Sequence, residues 1–73
     1  MHSYIIFGRW SQKENGKFED WNDTDALVVR NVADASAACR AAEKHWLETT
    51  YKGDDYEVSC NPERAVQVQV IDG

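Results

Sequence analysis

The stretch from Asp34 to Tyr51, DASAACRAAEKHWLETTY, constrains the fold more than any other. It alone keeps helical periodicity, while every other apolar run is short, β-branched and strand-like. Its alanines, with no glycine or proline among them, supply helix propensity. Asp34 is the natural N-cap, because its carboxylate can accept from the open N–H groups of the first turn and suits the positive end of the helix dipole; Ser36 competes for that place. At about 100° per residue, Ala35, Ala38, Cys39, Ala42, Trp46 and Thr49 share one face, and Arg40, Lys44 and Glu48 lie opposite. The buried stripe is therefore small-sided, with Trp46 as its single large anchor.

Strands are expected on both sides of this helix. SYIIFGRW, residues 3–10, places Tyr4, Ile6 and Trp10 on one face and Ile5, Phe7 and Arg9 on the other. The isolated Gly8 marks a bulge or a close backbone approach. Asn15-Gly16 is a strong hairpin signal, since both residues tolerate positive φ; a two-residue turn there pairs Glu14 with Lys17 and sets Trp10 opposite Trp21. The competing reading makes residues 11–25 a long loop whose Phe18 and Trp21 fold back onto the sheet. ALVVRNV, residues 26–32, alternates Ala26, Val28 and Val32 against Leu27 and Val29. After Lys52-Gly53 come DYEVSCN and AVQVQVI, separated by the turn Asn61-Pro62-Glu63-Arg64, and these two strands are expected to pair as an antiparallel hairpin.

The expected fold is thus α+β over a single domain, residues 1–73. An antiparallel sheet of four strands, five if residues 17–21 add one, carries one helix across one face in the order β-β-α-β-β. A chain of 73 residues buries only about 60% of its unfolded surface, so its eight aromatic residues are its most effective core material.

Most functional classes find little footing in this sequence. No apolar run is long enough for a membrane span or a secretory leader, and a cytoplasmic location is the default expectation. Cys39 and Cys60 lack CxxC or Cys/His spacing and read as free, buried thiols, with a helix-to-strand disulfide as the alternative. A calcium loop starting at Asp20 would need glycine at its sixth position and a carboxylate at its twelfth, where this chain has Asp25 and Asn31. Cys39 and His45 sit about 120° apart on the helix and cannot converge on zinc. The four glycines are isolated, so no phosphate loop is present, and no nucleophile stands beside a base; the expectation is a protein that is not an enzyme and holds neither metal nor cofactor.

Charge is more informative. The net charge of −5 opposes direct nucleic-acid binding, which needs clustered Lys and Arg. The acids gather in two groups, Glu19, Asp20, Asp23 and Asp25, then Asp54, Asp55 and Glu57, and Trp21 sits inside the first. An aromatic set among charges is a common anchor composition, so these residues are the candidate partner-binding set, with exposed Leu47 on the helix as a further contact. The outer helix row of Arg40, Glu43, Lys44, Leu47 and Glu48 is a secondary contact surface. A partner with a basic surface is the one such acids would attract.

At the passage ALVVRNVADASAACRAA, preceded by YIIFGRW and a polar loop, the chain resembles small phage-encoded proteins in which a strand runs into an Ala-rich helix followed by a hairpin. Among them are anti-CRISPR proteins directed at type I systems. The resemblance covers residues 4 to 46 and implies an acidic, non-catalytic inhibitor acting in the host cytoplasm. Such a protein would bind a host protein or ribonucleoprotein complex and block DNA recognition or nuclease recruitment. The same element order also occurs in small antitoxin and regulatory domains, which implies a homodimeric interaction module as the alternative.

Overall fold

A computed structural model describes all 73 residues, Met1 to Gly73. The fold is α+β: β1 (His2–Ile6), β2 (Gly8–Glu14), β3 (Lys17–Asp23), β4 (Leu27–Val32), α1 (Ala35–Thr49), β5 (Tyr56–Cys60), a single 3-10 turn (Pro62–Arg64) and β6 (Val66–Val68). The strands do not form one sheet. They divide into two antiparallel three-stranded sheets, a core sheet in the order β4-β1-β6 and an arm sheet in the order β3-β2-β5. The division falls at Phe7 and Gly8, where the expected first strand breaks into β1 and β2.

Gly8 is where the backbone must pass closest to its neighbours. A Cβ there would sit 2.7 Å from a ring carbon of Trp46 and 2.9 Å from the Thr24 hydroxyl oxygen. Glycine leaves room for two hydrogen bonds to the same residue. The Gly8 N–H donates to Thr24 Oγ1 (2.9 Å), and the Thr24 N–H donates to the Gly8 carbonyl (2.9 Å). Thr24 is thereby buried with its hydroxyl satisfied.

The helix forms as its sequence dictates. Asp34 is the N-cap, with Oδ1 accepting from the Ala37 N–H at 2.8 Å. Ala38, Cys39, Ala42 and Trp46 are its buried residues. Thr49, expected on that stripe, is exposed and instead donates from its hydroxyl to the His45 carbonyl (2.7 Å). With Ile6 these four residues make the core, and Tyr4, Leu27, Val29, Val32, Tyr51, Val58, Cys60 and Ala65 pack around it.

Glu43, expected in the outer row of the helix, turns out to be structural. Its Oε1 accepts from the Cys60 N–H at 2.9 Å, giving the end of β5 a partner and tying helix to strand.

Two bulges alter the expected faces. In β4 the register slips between His2 and Tyr4 where Asn31 takes φ +63°. The slip reverses the alternation, so Val32 joins Leu27 and Val29 against the core while Val28 is 53% exposed on the other face. In the arm, Asn15 (φ +52°) and Gly16 (φ +81°) make the expected two-residue turn, and Glu14 pairs with Lys17. Beyond Gln12↔Glu19, however, Asp20 (φ +64°) and Trp21 together oppose Ser11, so Trp10 stands opposite Asn22 and not Trp21. Trp10 finds other aromatic partners, stacking on Tyr51 at 5.2 Å between ring centroids and meeting Tyr56 at 6.0 Å.

The last two strands do not form the expected hairpin. Pro62 starts a 3-10 turn capped by Asn61 Oδ1 accepting from the Glu63 N–H, and this turn sends the chain across to the other sheet. β5 pairs with β2, whereas β6 pairs with β1. The regular Val66, Val68 alternation therefore faces outward alongside Ile5 and Ser3, and Val66 is 49% exposed.

Candidate functional site

The arm sheet brings together what the sequence keeps apart. β2 is its middle strand, with β3 on one side and β5 on the other, so the acidic group of residues 19–23 and that of residues 54–57 flank one strand. The turn ahead of β5 is fastened to β2 by the Lys13 N–H donating to the Asp55 carbonyl at 2.7 Å. Across one row the order is Glu57, Ser11, then the Asp20–Trp21 bulge. The arm strands and this turn hold seven carboxylates (Glu14, Glu19, Asp20, Asp23, Asp54, Asp55 and Glu57) against three cations (Arg9, Lys13 and Lys17). They therefore account for −4 of the chain's −5.

These charges are presented to solvent. All seven residues of β3 are exposed, as are Asp54, Asp55 and Glu57. Trp21, 44% exposed, and Phe18, 37% exposed, are the large apolar side chains on β3. Lys13 places its ammonium 5.9 Å from the Phe18 ring centre, at the outer reach of a cation–π contact. The Arg9 guanidinium donates from Nη2 to the Trp21 carbonyl at 3.3 Å, bracing the bulge that carries the tryptophan.

Not every expected site residue joins this surface. Asp25 lies in the β3–β4 connection; burial raises the Tyr51 phenol above its ordinary range, and the Asp25 charge adds to the effect. Leu47, 42% exposed, is on the solvent side of the helix and belongs to a separate surface.

The row also contains a residue that pattern reading passed over. Ser11 is fully buried, and its hydroxyl has no hydrogen-bond partner. Nothing in the strand pattern marks it, because a serine between tryptophan and glutamine on a polar strand reads as solvent-facing.

The two thiols are free and close enough to influence one another, Cys39 on the helix and Cys60 at the end of β5. Burial raises both above the ordinary thiol range, and the nearby Glu43 carboxylate adds to the effect; Cys60 is pushed up to about 12. A thiol held neutral in this way is a poor nucleophile. No three His, Cys, Asp or Glu side chains gather closely enough to hold a metal ion. No helix is long and apolar enough to cross a membrane.

Comparison of the chain with protein-family models, curated proteins and solved structures finds no match in any of the three.

Proposed function

We propose that this chain is a non-enzymatic binding protein that docks on the basic surface of a host defence complex. In this reading it is a phage-encoded inhibitor of the anti-CRISPR type, blocking DNA recognition or nuclease recruitment. One observation carries the reading: the two acidic groups flank a single sheet, and with its cations counted that arm accounts for −4 of the chain's −5 charge. Carboxylates spaced along neighbouring strands can stand in for the phosphates that a nucleic-acid-binding partner expects, and the long-range field steers the encounter. Exposed Trp21 supplies an apolar anchor within that field.

Capture from a lysate of cells carrying a type I CRISPR system tests this reading. The wild-type chain is expected to retain effector-complex subunits, with retention falling as salt rises. The combined variant Asp20→Lys, Asp23→Lys, Glu57→Lys should lose them, while Glu48→Lys on the helix should not. Undiminished capture by the triple variant, or no defence complex among the captured proteins, would sink the proposal.

A homodimeric interaction module is the second reading, favoured by the core sheet. β4 and β6 both have an open edge, and the row Val28–Ile5–Val66 crosses its outer face with both valines about half exposed. Sedimentation at micromolar concentration separates the two readings, since a strict monomer rules out the dimer.

A further inference from the structure

The acidic arm contains one cleft of opposite character. At the end of the arm sheet nearest the core sheet, a depression of about 240 Å³ is lined by Phe7, Arg9, Ser59, Cys60, Asn61 and Arg64. Its lining includes two arginines, a serine and an asparagine, and no carboxylate. Asp23 stands across from Arg9 in the ladder, Glu63 precedes Arg64 in the turn and Glu43 accepts from the Cys60 N–H, but none of the three lines the cleft. Gathering two of eight cations around one hollow in a chain of net −5 costs repulsion that an anion between them would reverse.

The Arg9 side chain and the Arg64 backbone are both held before any ligand arrives. Arg9 is braced by its bond to the Trp21 carbonyl, which uses one of the five donors of its guanidinium. Arg64 rides on a proline-started turn closed by the Arg64 N–H to the Asn61 carbonyl (3.0 Å) and the Ala65 N–H to the Pro62 carbonyl (3.2 Å). Asn61 spends its Oδ1 on the cap, which leaves its NH₂ group as a donor. Ser59, directly opposite Arg9 on β5, adds a hydroxyl. Phe7 forms an apolar wall that lowers the local dielectric and strengthens charge-assisted bonds.

We propose that this cleft binds a phosphate group, taken between Arg9 and Arg64 and further bonded by Ser59 and Asn61. Two separate forks match a dianion with three equivalent oxygens, whereas a single carboxylate would be satisfied by one of them. The site does not depend on the docking function proposed above, because it uses cations and not the acidic groups.

Inorganic phosphate is the probe, titrated into ¹⁵N-labelled protein at constant ionic strength, with chloride and acetate as comparison salts. Saturable shifts are expected at the amides of residues 7–9 and 59–64, with acetate binding about tenfold more weakly. Arg64→Gln, on an exposed turn, should weaken phosphate about tenfold, and Arg9→Gln by a similar factor, since each removes charge-assisted hydrogen bonds. Shifts that stay linear and match those of chloride would overturn the site, as would unchanged binding in folded Arg64→Gln. Partner capture by Arg64→Gln should be unchanged, so the two proposals can fail separately.

Discussion

The core sheet and the arm sheet have the same strand number and the same antiparallel pairing, yet they are stabilised in different ways. The core sheet lies under the helix, and Tyr4, Ile6, Leu27, Val29 and Val32 bury one of its faces against Ala38, Ala42 and Trp46. The arm meets that core along β5, through Val58 and Cys60, at Gly8 behind Trp46, and through the Trp10–Tyr51–Tyr56 aromatic group, whereas β3 has no buried residue at all. Packing therefore dictates the residues of one half, while the other is held by its ladder, its turn and a few side-chain braces. Where packing does not choose the side chains, charge is free to accumulate, and that is where this chain carries most of it.

The contrast can be broken most forcefully in the core. Trp46→Ala should cost about 3–5 kcal/mol, enough to unfold a domain of this size, and loss of a cooperative urea transition would record it. Gly8→Ala should cost about 3 kcal/mol, because its Cβ meets Trp46 and Thr24 at under 3.0 Å and both are packed. Glu43→Ala removes the carboxylate that accepts from the Cys60 N–H, and a loss of about 1–2 kcal/mol in chemical denaturation is expected. Near-wild-type stability in all three variants would mean that the core is not where the fold is held.

A gentler probe is pH. Cys60 titrates near 12 in the folded chain against an ordinary value of 9.0, so the unfolded state loses its proton first as pH rises. Stability should be at its full value below pH 9 and fall through the interval up to 12, with Cys39 and Tyr51 shifted in the same direction. Thermal melts at several alkaline pH values would show this slope, and Cys60→Ala should flatten it.

The smallest effects are expected in the arm. Ser11→Ala removes a buried hydroxyl without a partner and should be neutral or stabilising by up to about 1 kcal/mol. The charge-reversal triple should change stability by no more than about 0.5 kcal/mol at Asp23 and Glu57 and by about 1 kcal/mol at Asp20, whose φ of +64° suits lysine less well, while changing binding. A large stability loss there would mean that the acids are structural, and the contrast between the halves would fail.

Local chemistry made part of this legible in the sequence. The helix, its Asp34 cap and its Trp46 anchor follow from propensity and period, and the Asn15-Gly16 turn follows from the positive φ both residues adopt. What eluded pattern reading is non-local. Trp21 misses Trp10 because Asp20 absorbs one residue into a bulge, and aspartate marks a bulge no more clearly than it marks a solvated strand. Pro62 announces a turn but not which strand follows it into pairing, so the exchange of β5 and β6 between sheets was hidden. The acidic groups were visible as runs, but their meeting across β2 was not. The Arg9–Arg64 cleft joins residues from opposite ends of the chain and had no local signal at all.

The Gly8–Thr24 pair also has a mechanical consequence. The molecule measures 45 × 22 × 19 Å, and the Asn15-Gly16 turn is at the end of the arm hairpin away from this pair. Two hydrogen bonds of 2.9 Å clasp the root of that arm, with the Trp46 ring directly behind them. The same root is also tied by the Glu43–Cys60 bond and by the Trp10–Tyr51–Tyr56 group, so the clasp is one of three links that connect the arm to the Trp46 core.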